Sequence, residues 1–163
     1  MKKIILVRHG KSAWDKPFLA DHKRPLAERG LRDVPVMASR LKARGINPDL
    51  FLSSSAERAI KTAELTAATF GYPKNEIISD DHLYHASPEK ILKIIHHLKD
   101  RYETILVFGH NPGFNELIEL LGGSIDNLPT SAHYGFKFDT DHWSEISNEN
   151  SKFWFYDFPK RKL

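Results

Sequence analysis

The chain has 163 residues, of which 40% are hydrophobic and 28% are charged, with a net charge of +3 and no cysteine. This composition fits one globular domain, residues 1–163, and its interspersed charges form no basic patch that would indicate nucleic-acid binding. The lack of cysteine excludes disulfides, thiolate metal ligands and a cysteine nucleophile. No apolar run approaches the ~20 residues that span a bilayer, and the run after Met1 is too short for a signal peptide. We therefore expect a cytoplasmic protein that does not bind membranes.

Apolar runs alternate with helical patterns in the first half of the chain. KIILVR predicts a buried strand, and a polar loop over residues 10–25 follows it. The next pattern predicts a helix that ends at Gly45, with a kink or restart at Pro35. DLFLS predicts the second strand. The serines at 53–55 are N-cap candidates for the following helix, which ends at Gly71.

The same alternation continues in the second half, apart from the C-terminal region. EIIS predicts a third strand, and Ser87 with Pro88 predicts the start of a helix over ASPEKILKIIHHLKDR. TILVFGH predicts a strand and NELIELLGG a short helix. HYGFKFD and KFWFYDF predict two antiparallel strands at a sheet edge. The whole pattern predicts the α/β class: a three-layer α/β/α sandwich with a mostly parallel sheet and an antiparallel edge strand.

The residues that could carry chemistry follow the strands, at the edge where open α/β sheets bind ligands. Arg8 and His9 end the first strand, Arg58 lies one helical turn after the second, and His110 follows TILVFG. Two guanidiniums match phosphate geometry, and histidine is a neutral nitrogen nucleophile near pH 7. We therefore expect phosphoryl transfer through a phosphohistidine intermediate, with Gly10 letting the backbone approach the bound anion.

Each of these residues also has a purely structural interpretation. Arg8 could form a surface ion pair, Arg58 could be a solvated helix residue, and the serines could only cap a helix. Most of the nine histidines must be structural; we assign this role to His22, His96, His97 and His142. The chain has no H-E-x-x-H or H-x-H motif and no glycine-rich nucleotide loop, so we expect neither a metal site nor a nucleotide cofactor.

Three motifs in this order resemble the histidine phosphatase superfamily, the phosphoglycerate mutase-like proteins. LVRHGKS resembles its Arg-His-Gly signature, LSSSAERAIKTA its second motif, and VFGHNPG the strand that carries its second catalytic histidine. The short length, DHKRPLAERG and the HNP sequence resemble the SixA-type phosphohistidine phosphatases in particular. The resemblance covers residues 4–138 and implies the phosphoglycerate mutase-like fold.

The resemblance also implies a role for each matched residue. His9 would accept the phosphoryl group, while Arg8, Arg58 and His110 would bind the phosphate oxygens and stabilise the transition state. No metal and no organic cofactor are implied.

PTSAH resembles a family loop near the phosphate. A hydroxyl or N–H group could come there from Thr130, Ser131 or Ala132, although a plain turn is an equal alternative.

The general acid is the point at which this chain departs from the pattern. The larger mutase and phosphatase branch carries a glutamate after the third strand, which protonates the leaving oxygen. Here that region reads HLYHASPEK, in which Glu89 and His85 are the candidates, and Asp15 and Asp21 in the long loop are further options. The sequence leaves the acid unassigned.

The leading hypothesis from the sequence is a phosphatase that removes phosphate from phosphohistidine on a protein. The first alternative is a phosphomonoesterase of the same fold that acts on small metabolites. The second is a phosphate-binding module without turnover, although the intact set of histidines and arginines favours an enzyme. The expected partner is therefore a phosphorylated protein or a small phosphate ester.

Overall fold

A six-stranded sheet with four α-helices forms the structure, a computed structural model that describes residues 1–162. The strands are β1 (Lys2–Arg8), β2 (Leu50–Ser54), β3 (Ile78–Asp80), β4 (Thr104–Gly109), β5 (His133–Phe138) and β6 (Ser151–Asp157). The helices are α1 (Glu28–Ala43), α2 (Glu57–Phe70), α3 (Pro88–His96) and α4 (Gly113–Leu120). Within residues 1–162, no helix has the length and apolar character needed to cross a membrane.

The sheet has the strand order β3-β2-β4-β1-β5-β6. Strands β1 to β4 pair in parallel, whereas β5 pairs antiparallel with both β1 and β6. The predicted mostly parallel sheet with an antiparallel C-terminal pair is therefore confirmed.

The helices cover both faces of the sheet because successive side chains of a strand point to opposite faces. Leu6 of β1 packs on the face covered by α3 and α4, in one cluster with Ile95 and Phe114. The adjacent Val7 packs on the opposite face with α1 and α2, in a cluster that includes Leu41 and further strand and helix residues. This arrangement confirms the predicted three-layer sandwich, and full burial of each such side chain stabilises the fold by about 1.5–3 kcal/mol.

Helix α1 continues without a restart through Pro35. A proline inside a helix removes one backbone hydrogen bond and costs about 3 kcal/mol. The buried face of this helix, with Val34, Met37 and Leu41 almost inaccessible to solvent, offsets that cost. Of the predicted kink or restart, the restart is therefore wrong.

Three other boundaries differ from the sequence-based expectation. The N-cap of α2 is Ala56, and none of the serines caps the helix. Helix α3 ends at His96 rather than near residue 101. The segment after α3 is held by a hydrogen bond from the Lys2 ammonium to the Tyr102 carbonyl oxygen at 2.7 Å. Strand β3 begins at Ile78, because Lys74–Glu76 forms a short 3-10 helix.

Strand register brings the predicted site residues to one edge of the sheet. Arg8, the last residue of β1, lies opposite Gly109, the last residue of β4. His9 and His110 therefore follow adjacent parallel strands, and the His9 N–H donates to the Gly109 carbonyl at 3.1 Å. Strand β2 lies on the other side of β4 and leads into α2, which carries Arg58 in its first turn.

Candidate active site

The imidazole rings of His9 and His110 form the floor of the site. Their centroids are 5.1 Å apart, and only 7% of His9 and 6% of His110 is exposed to solvent. Two buried imidazoles at adjacent strand ends offer nitrogen atoms to a single ligand. The structure thus brings together the two histidines that the sequence singled out.

His9 has a defined tautomer. Its Nδ1 atom is 2.7 Å from the Gly10 carbonyl oxygen, which can only accept a hydrogen bond, so Nδ1 carries the proton. The pKa of His9 is lowered to about 4, chiefly by burial and also by the charges of Arg58 and Arg8, against the opposing effect of the Gly10 hydrogen bond. At neutral pH the ring is uncharged, and its Nε2 lone pair is available as a nucleophile.

His110 contacts a serine through its Nε2 atom. Ser54 Oγ accepts the Ala56 N–H at 3.2 Å and lies 2.8 Å from His110 Nε2. The pKa of His110 is lowered to about 3, chiefly by burial and then by the charges of His9 and Arg58. Its Nδ1 is buried and has no partner within residues 1–162, and it carries the proton of the neutral ring when the Ser54 hydroxyl donates to Nε2.

Arg8 also presents an unused donor. Its Nη1 donates to the Leu128 carbonyl at 2.9 Å, which fixes the guanidinium, while the buried Nε has no partner in the described chain. Burial, and then the charge of Arg58, lowers the pKa of Arg8 from its usual value. Buried polar groups are normally hydrogen-bonded, so unpaired donors beside a nucleophile indicate a ligand site.

Arg58 is buried, with 6% of its surface exposed, and it holds Asp21. Its Nη1 donates to the Asp21 carbonyl oxygen at 2.7 Å, and its Nη2 donates to the Asp21 carboxylate at 3.0 Å. The bond connects α2 to the 3-10 helix Asp21–Lys23 in the loop between β1 and α1. Arg8 and Arg58 together contribute two positive charges, and Asp21 contributes one negative charge. The net positive charge of the site favours the binding of an anion.

Asp21 is the centre of a polar cluster that sequence reasoning identified only in part. Its carboxylate accepts a short hydrogen bond from the Tyr84 hydroxyl and lies 3.6 Å from His85 Nε2. The Tyr84 hydrogen bond, and then Arg58, lowers the pKa of Asp21, against its partial burial. His22, to which we assigned a structural role, forms a hydrogen bond between its Nε2 and Ser55 Oγ at 2.9 Å, and its ring packs edge-on against Tyr84.

Gly10 has a packing role at the site, in addition to the predicted approach of its backbone to an anion. A Cβ at this position would be 2.8 Å from Val34 Cγ2 and 3.2 Å from the Gly30 backbone, so glycine is required for packing against α1. The Gly10 N–H donates to Thr62 Oγ1 at 3.0 Å, and Thr62 in turn donates to the Arg58 carbonyl. Thr62 was not among the residues predicted for the site.

The predicted phosphate loop at 130–132 is close to the site, but its groups are used unevenly. The Ser131 N–H donates to the carbonyls of Arg8 and His9, and the Ala132 N–H donates to the Pro129 carbonyl at 3.2 Å. Ser131 has a φ of 66°, and its buried Oγ has no partner within the described residues. Of this loop, the Ser131 hydroxyl is the group that remains available, while Thr130 accepts a bond from Arg29.

The four candidates for the general acid lie in different surroundings. Asp21 and His85 belong to the cluster around Arg58, as described above. Asp15 and Glu89 are exposed, and in the described part of the chain neither forms a hydrogen bond or ion pair. Only two of the candidates are therefore placed to act on a ligand at His9. Residues 1–162 contain no cluster of three side chains suited to hold a metal ion.

Comparison with known proteins agrees with this geometry. Residues 4–84 match the family profile of the histidine phosphatase superfamily, branch 1. An uncharacterized protein of Mycobacterium tuberculosis is 31% identical over 152 residues, which cover 86% of this chain and 91% of that protein. An uncharacterized chloroplastic protein of Arabidopsis thaliana is 31% identical over 137 residues, and this chain spans 63% of its length.

Solved structures give the same result at the level of the fold. The SixA protein of Agrobacterium tumefaciens superposes with a TM-score of 0.82 at 25% identity, over 97% of this chain and 98% of that chain. The protein histidine phosphatase SixA complexed with tungstate superposes with a TM-score of 0.81 at 22% identity, over 96% and 97%. With His9, His110 and both arginines at one sheet edge, this phosphoglycerate mutase-like chain belongs to the histidine phosphatase superfamily.

Proposed function

We propose that this chain is a phosphatase that removes the phosphoryl group from phosphohistidine on a protein, through a phosphohistidine intermediate on its own His9. One observation carries the proposal. The neutral, buried His9 presents the Nε2 lone pair, and three buried polar atoms at the same sheet edge have no partner within residues 1–162: Arg8 Nε, His110 Nδ1 and Ser131 Oγ. A phosphoryl group bound at this edge would offer oxygen atoms as acceptors for such groups.

The chemistry follows from these groups. The His9 Nε2 attacks phosphorus while the bond to the leaving group breaks, and its electron pair stays on the leaving atom. Arg8, Arg58 and the His110 Nδ1–H stabilise the negative charge of the phosphoryl oxygens in the transition state. Water then attacks the phosphorylated His9 and releases inorganic phosphate. The fixed Gly10 hydrogen bond keeps the nucleophilic tautomer in place.

Two features support a protein side chain as the substrate. The fold likeness to SixA proteins extends over nearly the whole chain. The rim is accessible, because the side chains of Asp21 and His85 are 45% and 63% exposed above a nucleophile that is 7% exposed. A phosphorylated side chain can therefore reach His9 from a bulky partner.

A small phosphate ester is the second candidate. A cavity of about 280 Å³ adjoins His110 and has room for a compact leaving group. This volume lies near the lower limit for small-molecule sites, about 300 Å³.

The test compares substrates with purified protein. A protein phosphorylated on histidine, phosphoserine peptides, aryl phosphate and small sugar phosphates are assayed side by side for kcat/KM. We expect the phosphohistidine protein to be the best substrate and His9→Ala to be inactive. His82→Ala, which changes an exposed histidine outside the site, serves as the matched control. Preference for a sugar phosphate would support the second candidate, and binding without turnover would contradict both.

A further inference from the structure

His85 has an unusual backbone conformation beside the active site. Its φ is 52°, a left-handed value that residues with a Cβ adopt rarely and that clusters at functional sites. In this conformation its ring centroid lies 3.9 Å from that of Tyr84 and 6.2 Å from that of His110. The fold thus places a third imidazole next to the catalytic pair.

Asp21 fixes the orientation of this third imidazole. The His85 Nε2 is 3.6 Å from the Asp21 Oδ2, at ion-pair distance, and Asp21 is itself held by Arg58 and Tyr84. The side chain of His85 is 63% exposed, so solvent reaches its ring, in contrast to the buried rings of His9 and His110. Histidine is the side chain that most often acts as a general acid or base in enzymes.

The cavity of about 280 Å³ connects His85 with the catalytic floor. Both His85 and His110 line it, together with Ser87, Asn111 and Glu116. The Asn111 Nδ2 donates to the Leu128 carbonyl, whereas its buried Oδ1 has no partner in residues 1–162. The leaving group of a phosphoryl compound bound beside His110 can enter this cavity. There it meets the imidazole of His85 and the Asn111 Oδ1, which can accept a hydrogen bond from it.

We propose that His85, oriented by Asp21, donates the proton to the leaving group, and that the cavity beside His110 receives that group. The inference rests on the proposed function. As His9 attacks, the electron pair of the breaking bond stays on the leaving group, and a proton from imidazolium His85 neutralises it. For an ester the proton goes to the bridging oxygen, and for phosphohistidine to the unsubstituted ring nitrogen. Neutral His85 then takes a proton from the water that hydrolyses phospho-His9.

The other acidic groups of the cluster are less suited to this task. Asp21 accepts hydrogen bonds from Tyr84 and Arg58, and both hold it as the carboxylate, without a proton to give. The Tyr84 proton is already committed to Asp21. Glu116 also lines the cavity, and Arg58 lies 6.0 Å from the ring centroid of Tyr84.

The test is a leaving-group series with His85→Asn. Asparagine tolerates the left-handed backbone but cannot give up a proton, and His82→Asn is the matched control on an exposed histidine paired with Asp80. We expect wild type to show a shallow dependence of kcat/KM on leaving-group pKa. His85→Asn should lose about 10²–10⁴-fold on alkyl phosphates and only a few-fold on nitrophenyl phosphate, because a positioned acid contributes on that scale.

A pH profile separates a proton donor from a structural residue. For alkyl phosphates, kcat/KM of wild type should have a basic limb in its pH profile that is absent in His85→Asn. If His85→Asn loses kcat/KM equally on every substrate, or if the slope of kcat/KM against leaving-group pKa is unchanged, His85 is not the proton donor. Phosphatase activity of wild type in the same assays would still support the proposed function. Wild-type protein that hydrolyses neither nitrophenyl phosphate nor phosphohistidine overturns the proposed function, and the role of His85 with it.

Discussion

Arg58 binds Asp21 at two points, with Nη1 on the backbone carbonyl at 2.7 Å and Nη2 on the carboxylate at 3.0 Å. Arg58, which we propose as the second arginine of the phosphate site, is therefore already paired with a carboxylate in the absence of substrate. These two hydrogen bonds connect α2 to the loop and order the rim of the site, since Asp21 also contacts Tyr84 and His85. The carboxylate is both a support for the arginine and a competitor for the incoming phosphate.

Asp21→Asn separates these two effects. The backbone carbonyl still accepts the Nη1 bond, but the negative charge beside the phosphate site is removed. We expect inorganic phosphate and vanadate to inhibit several-fold more tightly, because the repulsion between like charges is lost, and kcat to fall because His85 loses its partner. Competitive inhibition constants and kcat measure the two effects separately. Asp80→Asn, which breaks the exposed pair with His82, should change neither value, and weaker vanadate binding in Asp21→Asn would contradict the interpretation.

The main site residues could be predicted because they follow from strand topology. Buried strands have a strong local signature, and parallel strands bring their carboxyl ends to one edge. Arg8, His9 and His110 lie directly at such ends, and Arg58 is one turn into the following helix. A reader of the sequence needs only the strand positions and the residue types to bring these four together.

The cluster around Asp21 could not be predicted in the same way. Its contacts join Asp21 to residues 37 and 63 positions away, and both Asp21 and Tyr84 lie between the predicted strands and helices, where the sequence has no periodic pattern. Asp21 and His85 were named only as candidates, and Tyr84 was not identified. The glycine at position 10 was found, but its packing against Val34 depends on the position of α1, which the local sequence does not determine.

His9 is predicted to form the covalent intermediate. Rapid quenching with a labelled phosphoryl substrate should trap a label that is stable in alkali and labile in acid, as expected for a phosphorus–nitrogen bond on histidine. His9→Ala should show neither label nor turnover, because its Nε2 is the buried, neutral lone pair at the strand end. His82→Ala should be labelled like wild type. Retention of the label in His9→Ala would assign the nucleophile elsewhere.

Arg58 is predicted to act mainly on the transition state. Arg58→Ala should lower the rate by about 10²–10³, the scale for one preorganised charge-stabilising group. Arg58→Lys should restore only part of the activity, since an ammonium cannot bind the phosphate and Asp21 together with a planar fork. Lys61→Ala, an exposed cation on the same helix, is the control in the same kcat/KM assay. Full activity in Arg58→Ala would mean that the residue only supports the loop.

Activity is predicted to be independent of metal ions. The positive charge that the phosphoryl group requires comes from the guanidiniums of Arg8 and Arg58, and the nucleophile is an imidazole. Turnover should survive dialysis against EDTA, and vanadate should inhibit competitively as a phosphate-like oxyanion. A metal-dependent phosphatase treated in parallel shows that the chelator works. Activity that is lost in EDTA and restored by zinc or manganese would contradict this prediction.

The free energy of unfolding is predicted to fall as the pH drops from about 6.5 to 4. The pKa is lowered to about 4 for His9 and His133 and to about 3 for His110, and burial is the largest cause in each case. An unfolded chain takes up protons on these histidines near pH 6.5, whereas the folded chain excludes them until the lower values are reached. Protons therefore favour the unfolded state within this window, and each such histidine contributes up to about 1.4 kcal/mol per pH unit.

His133 allows this prediction to be tested without disturbing the catalytic groups. It is 2% exposed on β5, and its protonation would charge the sheet interior close to Arg40 and Arg44. Urea unfolding of wild type and His133→Asn at several pH values between 6.5 and 4.5 gives the slope of stability with pH. The slope of the unfolding free energy against pH should correspond to about one proton fewer in the variant than in wild type, whatever the stability of the variant at pH 7. His142, whose pKa is raised by the hydrogen bond and charge of Asp100, acts with the opposite sign in both proteins. Equal slopes in the two proteins would show that His133 titrates in the folded chain as it does in the unfolded one.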